Sequence, residues 1–252
     1  MASTSETGHH KNVANFEDLI SFCQGYGATY NPSKNSLKIP QLQTQLASVK
    51  ANLTAVTNTS VAFNNAVNAR KQAFEGLEKL STRLVNALDA TNATDQLVKD
   101  ARTVNNKMQG ARSKLTKADA GKNTKAIDAN TTVVETPKTI STSQRSYDSI
   151  IEHFSKLIAV LSTEPSYVPN ENELKIATLN TQLTNLKNLN TSVTNAYTTV
   201  SNARISRNAS LYNPTVGICA VAKEVKGYVK SIYGATSPQF KQISGLQFKT
   251  IK

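Results

Sequence analysis

QLQTQLASVKANLTAVTNTSVAFNNAVNARKQAFE, residues 41–75, contains neither Gly nor Pro, and along it Leu42, Leu46, Val49, Leu53, Val56, Ser60, Phe63, Val67, Arg70 and Phe74 alternate by four and three. Residues at those intervals share one side of an α-helix, and the regular alternation is that of a heptad seam. Such a helix is about 50 Å long at about 1.5 Å per residue, a length suited to a bundle or coiled coil. Pro40 falls in its first turn, where a proline is tolerated. The 25 Asn and 29 Thr of the chain are poor intrinsic helix formers. Helices built from them must draw their stability from packing of the seam.

Working outward, the same text returns. Tyr30-Asn31-Pro32, Leu37-Lys38-Ile39, Leu42, Thr44-Gln45-Leu46 and Lys50 recur as Tyr167-Val168-Pro169, Leu174-Lys175-Ile176, Leu179, Thr181-Gln182-Leu183 and Lys187, always 137 residues on. Asn68-Ala69-Arg70 matches Asn202-Ala203-Arg204 at an offset of 134, which implies that the second copy has lost three residues. Gly76 and Asn213-Pro214 fall where each long helix should reverse. A return helix then runs from Leu84 to Met108, with a break near Thr91 to Thr94, and stops at Gly110. Its counterpart runs from Ile218 to Ile232 and stops at Gly234. Sparse Gly and Pro argue against an all-β sandwich. The fold class expected is all-α, an elongated antiparallel helical bundle built from two duplicated helical-hairpin repeats.

The expected organisation is a mobile tail at 1–14, helical repeat 1 at 15–110, a flexible linker at 111–142, helical repeat 2 at 143–234 and a basic C-terminal segment at 235–252, both repeats sharing one core. In that core Leu42, Leu46, Val49, Leu53, Val56, Phe63 and Val67 should lie beside Leu179, Leu183, Leu186, Val193, Tyr197 and Val200. Arg70 and Arg204 occupy matching places, one of them on the seam, and each should snorkel to the bundle edge to meet a carboxylate or helix-end carbonyls.

The tandem unit with Tyr-x-Pro ahead of a Leu-x-x-Leu helix, the Asn-Ala-Arg in each long helix, and the ending Ser231-Ile232-Tyr233-Gly234-Ala235-Thr236-Ser237-Pro238-Gln239-Phe240-Lys241-Gln242-Ile243 resemble a family of hypothetical bacterial proteins. The resemblance covers most of the chain. It implies the duplication and carries no activity, ligand or functional residue.

Chemistry is scarce. The chain has three His, of which His9 and His10 fall in the expected tail and His153 on a helix beside Phe154, with no Ser or Cys placed as a nucleophile beside a base. The 17 acids are scattered rather than paired. Gly121-Lys122-Asn123-Thr124 lacks the earlier glycine and the preceding strand of a phosphate loop. His9-His10 has no third ligand near it, and Cys23 and Cys219 read as small core residues rather than metal ligands or a disulfide. Six Asn-x-Ser/Thr triplets follow from the composition alone. No catalytic residue, metal site or cofactor is assigned, and the chain is expected not to be an enzyme.

Charge is the strongest remaining signal. The formal net charge is +12, and residues 201–252 hold eight basic residues against one acid, Glu224. Lys223, Lys226 and Lys230 form a stripe opposite Ile218, Val225 and Val229, continued by Lys241, Lys249 and Lys252. These six are the candidate anion-binding surface. No base-reading motif accompanies them, so nucleic-acid binding would run through phosphates and be nonspecific. No apolar run approaches the roughly 18 residues that cross a bilayer, and residues 1–11 have no secretion-signal core, so no membrane association and a cytoplasmic location are expected. The reading is a non-enzymatic structural or self-assembling helical-bundle protein whose partner is a second copy or another helical protein. The alternative is a nonspecific nucleic-acid or polyanion binder.

Overall fold

The structure is a computed structural model that describes residues 7–110 and 145–250. The expected linker at 111–142, with Gly121-Lys122-Asn123-Thr124, and Lys252 lie outside them. Among the described residues the chain is all-α: α1 (Thr7–Gly25), α2 (Ile39–Phe74), α3 (Leu77–Asp89), α4 (Asp95–Met108), α5 (Tyr147–Ser162), α6 (Ile176–Tyr212), α7 (Ile218–Tyr233) and α8 (Pro238–Ser244). No helix among them is long and apolar enough to cross a membrane.

Local chemistry sets the boundaries. Gly76, at φ +85°, takes a left-handed turn that a β-carbon would strain, and it separates α2 from α3. Thr94 caps α4 by accepting the Leu97 N–H. Ser237 does the same for α8 with Phe240, ahead of Pro238 at the first helical position. Gly217 is required for space: a Cβ there would lie 2.6 Å from the Asn213 nitrogen.

The chain divides into two compact units, 1–67 with 193–252, and 68–192. Both divisions fall inside the long helices α2 and α6. In the first unit α1, α7 and α8 pack on one another, around Phe16, Leu19, Leu42, Val49, Leu211, Val225 and Ile243. In the second, α3, α4 and α5 pack on one another, around Leu84, Leu88, Met108, Phe154, Leu157, Leu179 and Leu186. The buried apolar residues thus form two clusters, not the single core expected. Each cluster takes the start of one long helix and the end of the other: Leu42 with Leu211, and Leu179 with Phe74. Within the first unit Asn52 donates to Ser210 Oγ at 3.1 Å and the Phe63 and Tyr197 rings stand 5.9 Å apart, so residue numbers fall along α6 as they rise along α2. Tyr197, expected in the core, is 59% exposed.

The expected tail at 1–14 is also corrected, because helix α1 begins at Thr7 and buries His9, Asn12 and Val13. The seam itself holds. Leu42, Val49, Leu53 and Val56 are buried on α2, and Leu179, Leu183, Leu186, Val193 and Val200 on α6. Burial of one such side chain contributes about 1.5–3 kcal/mol.

Ahead of each long helix lies the same device. Tyr30 Oη donates to the Leu37 carbonyl at 2.8 Å, and Tyr167 Oη to the Leu174 carbonyl at 3.0 Å, both tyrosines buried. Each bond pins a loop and a single 3₁₀ turn, 35–37 or 172–174, against the start of the helix that follows. Tyr30→Phe and Tyr167→Phe each leave a carbonyl without its donor, so each is expected to lower unfolding stability by about 1–2 kcal/mol in urea titration. The two losses should be alike; a neutral result for both would remove this bond as an anchor.

Candidate functional site

Of the six candidate lysines, Lys252 lies outside the described residues. Lys223, Lys230, Lys241 and Lys249 are exposed. Lys226, half-buried, donates from Nζ to the Ser244 carbonyl at 3.3 Å and to the Leu246 carbonyl, and lies 5.6 Å from the centre of the Phe248 ring. Desolvation lowers its pKa from the ordinary lysine value. Its charge is therefore used inside the protein, closing the end of α8. The Lys230 ammonium lies 5.9 Å from the Phe240 ring. Glu224, the one acid among residues 201–252, is paired with Lys34 at 2.6 Å.

Lys226, with α1, holds the chain that follows α8. Residues 246–250 run without regular structure. Asn12 takes the Lys249 peptide from both sides, donating to its carbonyl at 2.7 Å and accepting its N–H at 2.9 Å, while Asn15 donates to the Gln247 carbonyl at 2.6 Å. His9 Nδ1 meets Tyr212 Oη at 2.6 Å. The sequence analysis puts His9 in a tail and does not name Asn12 or Asn15, although a signal is present: His9, Asn12, Phe16, Leu19 and Cys23 recur at helical intervals, so polar side chains continue an apolar stripe. Between this segment and α7 lies an open groove of about 630 Å³ lined by Tyr212, Cys219, Lys223, Lys226, Leu246 and Phe248.

The paired arginines are separated by the structure. Arg70 is half-buried, with its guanidinium 4.0 Å from the Tyr147 ring centre and Nη1 donating to Asn190 Oδ1 at 2.9 Å. Asn190 in turn donates to Asp148 at 2.7 Å. The carboxylate expected beside Arg70 is thus reached through an amide. Arg204 is exposed, and the buried arginine of α6 is Arg207, 5% exposed and bonded to Asn208 Oδ1. The reason is register. Adding 137 to the ten seam positions of α2 gives Leu179, Leu183, Leu186, Val193, Val200, Arg207 and Leu211, all buried, with half-buried Asn190 and exposed Tyr197 and Arg204. The two long helices are of nearly equal length, 36 residues in α2 and 37 in α6.

Reactive groups are quiet. Burial pushes the Cys23 thiol up to about 12 and the Cys219 thiol up to about 11, so neither is a thiolate near neutral pH. Among the described residues no three His, Cys, Asp or Glu side chains are grouped to hold a metal ion. His153 on α5 is buried, with neither ring nitrogen hydrogen-bonded. Burial lowers its pKa first, with Lys107 and Lys156 adding to the shift and Glu152 opposing it.

No family model, curated protein or solved structure matches the chain.

The lowered pKa of His153 fixes the sign of a pH dependence. Unfolded chains bind a proton near 6.5 that the folded state refuses, so this contribution to stability is full above that pH and is lost as pH falls toward the folded value. His153→Leu is expected to flatten the pH 5–7 part of the stability profile, read by thermal melts across that range. An unchanged profile would contradict the assignment.

Proposed function

We propose that this chain is a non-enzymatic helical interaction protein, one antiparallel helical unit used twice, whose long helices pack against a second copy or a partner helix. The observation that carries this reading is apolar exposure on those helices: Val61 on α2 is 55% exposed, and Tyr197 and Ile205 on α6 are 59% and 63% exposed. Side chains of that size left in water on long seamed helices are the kind of surface that helical partners cover. The protonated thiols of buried Cys23 and half-buried Cys219 and the unpartnered His153 imidazole support the non-enzymatic part.

Support for the doubled unit comes from matched detail. The Tyr–Leu bond recurs at 137 residues, glycine caps both α3 and α7, and the loop after each tyrosine is tied to the return helix by one ion pair with its charges exchanged. That pair is Lys34–Glu224 in the first unit and Arg83–Glu173 in the second, each at 2.6 Å.

A second reading, nonspecific polyanion binding, is favoured by exposed Lys223, Lys230, Lys241 and Lys249. Surface ammoniums of this kind make salt-screened contacts to phosphates without base information.

Sedimentation equilibrium or native mass measurement at about 10–100 μM tests the first reading. Reversible self-association is expected, weakened at least about tenfold by Tyr197→Lys with Ile205→Lys at unchanged helix content; a monomer throughout would contradict the self-association form of the reading. For the second, duplex DNA at about 50 mM salt should bind no more tightly than about 10⁻⁴ M if the lysines are a solvated face. Submicromolar binding that falls steeply with salt and is lost in Lys223→Glu/Lys230→Glu/Lys241→Glu would put the polyanion reading first; Lys226 is left out because it holds the end of α8.

A further inference from the structure

Two lysines of α7, Lys223 and Lys226, line the groove beside the C-terminal segment. At a spacing of i, i+3 they are neighbours of like sign on one side of the helix, an arrangement that repels. The acid between them in sequence, Glu224, is held by Lys34 at 2.6 Å. Asn213, Ser244, Gln247 and Thr250, the polar residues that complete the lining, are uncharged, so among the described residues no carboxylate lines the groove. An ammonium has three donors. Lys226 turns two of them on the Ser244 and Leu246 carbonyls and leaves one for a ligand, while Lys223 stands exposed.

The remaining wall is apolar surface only partly covered. Tyr212, Cys219, Leu246 and Phe248 pack against the buried cluster of the first unit, yet each is half-buried and each lines the groove. The Tyr212 hydroxyl is engaged by His9 at 2.6 Å, so that residue offers the groove its ring. Side chains covered on one side and wet on the other gain from a hydrocarbon laid over them. The space, about 630 Å³, is that of a small-ligand site.

We propose that this groove binds one aliphatic carboxylate of medium length, its head between Lys223 and Lys226 and its chain over Tyr212, Cys219, Leu246 and Phe248. The two ammoniums fix the sign of the head. A carboxylate has two acceptor oxygens, one for the remaining donor of Lys226 and one for Lys223, and such charge-assisted bonds are the strong ones. The four apolar side chains require the tail, because an inorganic anion or a phosphate backbone would answer the charge and leave them wet. The site is independent of the self-association reading, since it uses neither Val61, Tyr197 nor Ile205.

Decanoate, decanol, decyltrimethylammonium and acetate, each titrated into the full chain below any micelle concentration, separate head from tail. Calorimetry is expected to give one decanoate per chain, held at least about tenfold more tightly than decanol, the margin of one charge-assisted hydrogen bond. Neither acetate nor decyltrimethylammonium should saturate. Cys219 lines the groove whereas Cys23 is buried. Decanoate should therefore slow iodoacetamide alkylation of Cys219, mapped by mass spectrometry, over the same concentrations that calorimetry reads, and acetate should not. Lys223→Gln should weaken decanoate about two- to fivefold, as for an exposed ion pair, and leave decanol unchanged. No saturation by decanoate, equal binding of decanol, acetate or decyltrimethylammonium, Cys219 unprotected at saturating decanoate, or a helical Lys223→Gln chain that binds decanoate as the unmodified one does would each overturn the proposal; the protection result needs no variant.

Discussion

One apolar residue every three or four along α2 and α6 is what the rest of the protein depends on. Their other positions are largely Asn, Thr, Ser and Lys, and each Asn or Thr gives up about 0.5 kcal/mol of helix propensity relative to Ala. The threonines soften that cost locally. Thr44, Thr54, Thr181 and Thr184 each donate to the carbonyl four residues back, so their hydroxyls need no partner from elsewhere. None of these threonine bonds orders one helix against another. The seam does, and so the residues that depart from it, Ser60 and Arg70 on α2 and Asn190 and Tyr197 on α6, mark where apolar packing gives way to polar bonds or to solvent.

Where polar groups enter the interior they are matched to backbone, and this gives the C-terminal segment its place. Asn12 and Asn15 on α1 and Lys226 on α7 recognise peptide groups of residues 244–249 rather than side chains. An unmade bond at such a site costs more than the bond gains, so α1 and the segment are stable together and costly apart. The same economy limits the charge argument. A lysine stripe that looks like an anion surface in projection contributes one member to a helix end and leaves its neighbours as separate ammoniums in water. In the second unit, His153 is enclosed without a partner, and the result is a side chain that tolerates burial only while neutral.

The all-α class, both long helices, the break before Thr94 and the stops at Gly110 and Gly234 were legible because seams, caps and glycines are local signals. The start of α1 was not: its stripe is continued by His9 and Asn12, whose bonds go to Tyr212 and Lys249, some 200 or more residues away. The single core failed for a related reason, since periodicity gives the buried face of a helix and not the direction in which its partner runs. The identical Asn-Ala-Arg letters point to Arg204, whereas burial falls on Arg207, which continues the seven-residue spacing of Val193 and Val200. The lysines were legible as a stripe and illegible in their bonds.

The register of α6 is the point on which the seam, the exposed Tyr197 and Ile205, and every matched position rest. Comparing the thermal melts of Arg204→Ala and Arg207→Ala tests it most directly. With the constant 137-residue register, Arg207→Ala should lower Tm by several degrees, at about 2–4 °C per kcal/mol for a chain of this size, while Arg204→Ala stays within about 1 °C of the unmodified protein. Equal losses, or the larger loss at Arg204, would contradict it.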